Sequence, residues 1–99
     1  MVKEVVWTPL AVETFDHIVD YLSIKFGETA VKHFVQSVEA KIKLIQSRPR
    51  MFRPTHKRAN TYITIIRKRT TLTYRYKPSR NQIQLIVFWG MQNPANKPN

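Results

Sequence analysis

The stretch TTLTYRYKPSRNQIQLIVFW, residues 70–89, decides the fold. From Thr70 to Lys77 the chain alternates, with Leu72, Tyr74 and Tyr76 on one side and Thr71, Thr73 and Arg75 on the other. That two-residue period belongs to a strand with one buried face. Pro78-Ser79-Arg80-Asn81 then supplies a turn. From Gln82 to Trp89 the residues Ile83, Leu85, Val87 and Trp89 share one face, while Ile86 and Phe88 make the other face apolar too. A strand apolar on both faces is expected in the interior of a sheet.

Working back from this hairpin, Thr61 to Arg67 is rich in Ile, Thr and Tyr and reads as a further strand, giving a three-stranded C-terminal sheet over about 61–89. Ser47 to Asn60 is Pro- and Arg-rich and without period, as an ordered loop is. Before it, Ala30, Val31, Phe34, Val38, Ile42 and Ile45 repeat at helical spacing and Pro49 closes the segment. Val12, Phe15, Ile18, Val19, Leu22 and Phe26 mark an earlier helix, opened by Thr8 as N-cap and Pro9 at the first helical position and stopped by Gly27. Val2 to Trp7 is β-branched and aromatic, a strand. The order is β-α-α-β-β-β. Each helix has one apolar stripe to cover and the sheet has a face to offer. An α+β fold follows, with a helical hairpin (about 9–47) packed on a small, twisted, mostly antiparallel sheet in a single domain, 1–99.

Charge narrows the function. Seventeen Lys and Arg stand against six Asp and Glu, a net +11. In residues 1–28, Lys3 and Lys25 face Glu4, Glu13, Asp16, Asp20 and Glu28, a net −3; residues 29–99 hold every other basic residue against Glu39 alone, a net +14. Such asymmetry points to a polyanionic partner: nucleic acid, ribosome or an acidic protein. The chain has no cysteine, which excludes disulfides and thiolate metal sites, and it has no apolar run of about 20 residues to span a membrane. The first residues lack the apolar region of a signal peptide, so a cytoplasmic location is expected. No phosphate-binding glycine loop or metal-ligand cluster occurs, and no cofactor is expected.

The element order, length and basic strands together resemble the RelE/ParE superfamily of plasmid-stabilisation and type II toxin–antitoxin toxins. Val6-Trp7-Thr8-Pro9-Leu10-Ala11 is similar to that family's opening strand running into its first helix. Ala30 to Pro49 resembles its second helix, Leu72-Thr73-Tyr74-Arg75-Tyr76 its aromatic-Tyr-Arg strand, and Phe88-Trp89-Gly90-Met91-Gln92-Asn93-Pro94 the degenerate end of its last strand. The resemblance implies a growth-inhibiting toxin neutralised by a cognate acidic antitoxin, as part of a toxin–antitoxin hetero-oligomer. RelE-like members cut mRNA in the ribosome, whereas ParE-like members poison DNA gyrase, and the shared fold does not choose between them.

The chemistry of RNA cleavage does discriminate. Attack by a 2′-hydroxyl needs a base, a cation for the phosphorane and an acid for the leaving oxygen. Arg67 falls where RelE-like enzymes keep a catalytic Arg, and Lys57 and Arg58 fall near their other basic residues. Arginine cannot act as the base but holds phosphate at two points. The remaining half of the set is unmatched. Met91 and Gln92 stand where Arg or His is sought, no Tyr follows Tyr76, and His17, His33 and His56 all precede the strand at 61–67. Residues 40–99 contain no Asp or Glu.

Three readings are therefore carried. The first is a ParE-like toxin that acts by binding gyrase. The second is a RelE-like, metal-independent endoribonuclease running on Arg67, Lys57 and Arg58, with Arg75. The third, of another class, is a generic basic nucleic-acid-binding domain. Antitoxin carboxylates or phosphates are expected at Arg67, Lys68, Arg69, Arg75 and Arg80, with a solvated turn as the lesser alternative for Arg67-Lys68-Arg69. Tyr62, Tyr74 and Tyr76 are expected in the core or in sheet pairing, His17 and His33 on helix surfaces.

Overall fold

Thr8 begins the structure as the sequence suggests. In a computed structural model describing residues 3–90, its side chain accepts from the Ala11 amide at 3.1 Å while its own hydroxyl reaches the Leu85 and Ile86 carbonyls at 2.8 and 3.0 Å. One residue thus caps a helix and ties it to a strand nearly eighty positions away. The elements are β1 (Glu4–Trp7), α1 (Pro9–Phe26), α2 (Glu28–Ser47), β2 (Arg53–Pro54), β3 (Thr61–Ile66), β4 (Thr70–Lys77), a 3₁₀ turn at Pro78–Arg80 and β5 (Gln82–Gly90). Gly27 alone separates the helices. Its φ of +87° suits a residue without Cβ, and its amide meets both Leu22 O and Ser23 O at 3.1 Å.

The strands form one sheet in the order β1-β5-β4-β3-β2. β1 runs parallel to β5 and every other pair is antiparallel. The interior position expected for the strand at 82–89 is the one observed, with β1 and β4 on its two edges. Both helices pack on one face, over a core of Ala11, Ile18, Phe34, Val38, Ile45, Ile66, Leu72, Tyr74, Ile83, Leu85 and Phe88. Trp7, Phe15 and Phe88 pack with centroids 5.2–5.4 Å apart, which joins β1, α1 and β5.

Three local expectations need correction. Val12 and Phe26 are exposed, and Ala11 and Thr14 take the inner face of α1 instead. The loop before β3 contains the short strand β2, paired to Ile63 and Tyr62. Phe52, packed edge-to-face on Tyr74 at 6.4 Å, pulls this stretch against the sheet, and Pro54, which has no amide to donate, suits its edge. Third, Val87 and Trp89 do not share the face of Ile83 and Leu85. The β4–β5 register slips between Thr73 and Tyr74, so Thr73 pairs with Val87 but Tyr74 with Leu85, leaving Ile86 as a bulge. Beyond it the inward residues are Phe88 and Gly90.

Candidate functional site

The β3–β4 connection, Arg67-Lys68-Arg69, is the most strained turn in the described chain. Arg67 and Lys68 adopt φ of +52° and +73°, values that cost a side-chain-bearing residue roughly 1 kcal/mol or more each. All three side chains are exposed, and Arg67 Nη1 donates to Ser37 Oγ of α2 at 3.4 Å. Beneath the turn lies a groove of about 270 Å³. Tyr21, Leu22, Phe26 and Phe34 form its apolar walls, with His33, Arg67 and Arg69 at the rim.

The other basic residues singled out in the sequence lie at the opposite end of the β3–β4 ladder. Lys57 and Arg58 precede β3 in an exposed turn, Arg75 pairs with Thr61 and Gln84, and Arg80 sits in the 3₁₀ turn. β3 spans six residues, about 20 Å at ~3.3 Å per residue, so Arg67 is separated from Lys57 and Arg58 by its whole length. The turn residues Arg67, Lys68 and Arg69 are brought together; Arg75 and Arg80 belong to the far end.

Between the two ends, the sheet face turned away from the helices is uncharged on β3, β4 and β5, and the exposed Arg53 of β2 borders it where it pairs with Ile63. Ile63 pairs with Thr73, which pairs with Val87; Ile65 pairs with Thr71, which pairs with Trp89. Ile65 is 58% exposed. The Thr71 and Thr73 hydroxyls are buried and make no hydrogen bond among the described residues. This strip offers no general base, and the cation bordering it, Arg53, cannot act as one. Met91 and Gln92, and the degenerate strand end read there, lie outside the described residues.

A second concavity, of about 530 Å³, opens beside the C-terminal end of α2 and was not apparent from the sequence. Lys3, Arg48, Pro49, Arg50, Met51 and Tyr76 line it. The only hint was the Pro- and Arg-rich composition of the loop, because Lys3 and Tyr76 come from β1's approach and from β4. Nearby, Tyr62 and Tyr74 stack at 5.5 Å, and Tyr74 donates to Pro49 O at 2.7 Å. Burial, with a smaller contribution from the Tyr62 phenol, pushes the Tyr74 hydroxyl far above the usual tyrosine range. The tyrosines are thus sheet and core residues.

Among the described residues, no group of three or more His, Cys, Asp or Glu side chains is placed to hold a metal ion, and no helix is long and apolar enough to cross a membrane. The family described as "ParE toxin of type II toxin-antitoxin system, parDE" matches residues 5–90. The chain belongs to the ParE toxin family. As a ParE-family toxin it has the fold of known members. One similar solved structure is the chromosomal ParDE TA system from P. aeruginosa, with 16% identity over 90% of this chain and 96% of that one and a TM-score of 0.73. An arginine-to-alanine variant of the E. coli toxin RelE in the free state shares 14% identity over 97% of this chain and 88% of that one, at a TM-score of 0.67. The isolated E. coli RelE toxin shares 13% over 89% and 83%, at 0.64. At these identities the likeness shows the ParE-family chain's fold alone. No curated protein matches its sequence significantly.

Proposed function

We propose that this ParE-family toxin arrests growth by binding its target rather than by cutting RNA, that the target is DNA gyrase, and that an acidic antitoxin holds it inactive in a cytoplasmic hetero-oligomer. The outer face of the sheet, which carries no general base, supports the proposal. Ile63, Ile65, Thr71, Thr73, Val87 and Trp89 offer mainly apolar area, which suits protein contact, and none of them can take the proton of a 2′-hydroxyl at neutral pH. The separation of Arg67 from Lys57 and Arg58 supports the same reading, since a phosphorane would need them around one phosphate. Antitoxin carboxylates are assigned to the Arg67-Lys68-Arg69 turn, next to the apolar groove under it, where a segment with alternating acidic and apolar residues is complementary.

Gyrase supercoiling in vitro tests the target: inhibition by the purified toxin, relieved by antitoxin, is expected. Normal supercoiling at excess toxin, together with codon-positioned, ribosome-dependent cuts in primer extension, would replace this reading with the nuclease one. Salt should slow antitoxin association more than it speeds dissociation.

A further inference from the structure

We propose that the concavity beside the C-terminal end of α2 is a nucleotide-binding site, in which Lys3, Arg48 and Arg50 hold a phosphate group and Pro49 and Met51 receive the base. Three cationic side chains line one opening of about 530 Å³, and no carboxylate lines it with them. Like charges gathered this closely are complementary to an anion.

Two of the three cations are held in place by the protein itself. Arg50 Nη1 donates to Asn60 Oδ1 at 3.0 Å and to Tyr62 Oη at 3.3 Å, and its guanidinium lies 5.1 Å from the Tyr76 ring centroid. Both bonds leave from one nitrogen, so among the described residues the Nε–Nη2 edge of the fork makes no hydrogen bond. That edge is the one that binds phosphate at two points. Lys3 is fixed similarly: Gln46 Nε2 donates to its carbonyl at 2.8 Å and its ammonium lies 5.9 Å from the same Tyr76 ring. Ordering of this kind removes much of the entropy cost of binding.

A helix C-terminus attracts cations unaided, and that accounts for Arg48. It does not account for Arg50, whose Nη1 is tied to Asn60 and Tyr62 rather than to helix carbonyls, nor for Lys3, which comes from β1's side. The apolar share of the lining decides the ligand class. Met51 is 46% exposed and sits beside Pro49 at the mouth. A nucleotide pairs a flat, weakly polar base with a phosphate, whereas a carboxylate peptide would use the cations and leave that wall bare. The phosphate can belong to a free nucleotide or to a single strand. The site does not rest on the toxin reading and uses none of the residues invoked for it.

The test is fluorescence anisotropy of a labelled single-stranded 12-mer with the full chain, across a salt series. A Lys3→Gln/Arg48→Gln/Arg50→Gln variant is compared with Lys25→Gln/Lys32→Gln/Lys43→Gln, which loses the same charge from helix surfaces. The pocket variant should bind at least 10-fold more weakly, with a log–log salt slope shallower by about 0.7, as loss of one single-strand phosphate contact predicts; the helix variant should change less than 3-fold. Arg50→Lys, which keeps the charge and removes the fork, should lose about 5-fold and serves if the triple variant fails to fold. Competition by AMP identifies a free nucleotide as the source; a strand that binds while AMP has no effect identifies nucleic acid. Equal losses in both triple variants, no binding by the native chain, or a poly-glutamate peptide that competes better than the oligonucleotide would overturn the assignment.

Discussion

Replacing Thr14 by Val should destabilise the protein by about 2 kcal/mol, although the two side chains have nearly the same shape. Thr14 is 4% exposed on the inner face of α1, and its hydroxyl accepts from the Phe88 amide at 3.0 Å while donating to Leu10 O at 2.7 Å. The bulge at Ile86 takes β5 out of phase with β4, and a helix side chain meets the Phe88 amide just beyond it. Valine fills the space but leaves that N–H buried without a partner, which costs roughly 1–3 kcal/mol. With a urea m-value of about 1.5 kcal/mol per molar, the midpoint should fall by about 1.3 M, and the melting temperature by roughly 8–16 °C for a domain of this size. Thr14→Ser keeps the hydroxyl and loses one methyl, so it should cost only about 1 kcal/mol. Equilibrium urea unfolding followed by far-UV circular dichroism reads all three proteins. A valine variant within 0.5 kcal/mol of the native chain, or a serine variant worse than the valine one, would refute the role given to this hydroxyl.

Lys68→Gly should stabilise by about 0.5–1 kcal/mol in the same assay, because the φ of +73° is free for glycine, less the entropy glycine gains in the unfolded chain. Ile65→Glu, at an exposed position of the outer face, should leave the melting temperature nearly unchanged while abolishing growth arrest in an induced-expression assay; unchanged toxicity would remove that face from the target contact. Stability should fall as pH rises from about 10, the unfolded tyrosine value, towards the higher native value of Tyr74, because over that range the unfolded chain has released a proton that the native one keeps. Tyr74→Phe should flatten that alkaline decline, at a cost near neutral pH of about 1–2 kcal/mol for the lost bond to Pro49 O.

The architecture was legible wherever local chemistry and periodicity agree. Thr8-Pro9, Gly27 and the alternation of Leu72, Tyr74 and Tyr76 each mark their element through one or two residues. Phase is lost at Ile86, because a bulge adds a residue without changing the composition of the strand, so simple alternation puts Val87 and Trp89 on the face of Ile83 and Leu85. β2 is missed because two residues ending in proline have no period to detect. Basic residues were easy to find in the sequence but not to group. Arg67, Lys68 and Arg69 are neighbours in the chain and stay together. Lys57 and Arg58 look close to Arg67 in sequence, yet an extended strand carries the chain about as far as it can between them. The opposite error hid the pocket, since Lys3, Arg50 and Tyr76 converge only after the sheet has closed.

The parallel pairing of β1 with β5 sets a condition on biosynthesis. β1 is made before both helices and before every other described strand, but its neighbour in the sheet is the last strand among the described residues, and Thr8 waits for the Leu85 and Ile86 carbonyls. Until β5 is synthesised, the helical hairpin has no complete sheet to cover and Trp7 has no Phe88 to stack on. Translation therefore acts as a timer: an unfinished chain cannot present the outer face or the turn at Arg67 in working form. A cell that makes this protein meets it only as a finished molecule, a delay in which a partner already present can be waiting.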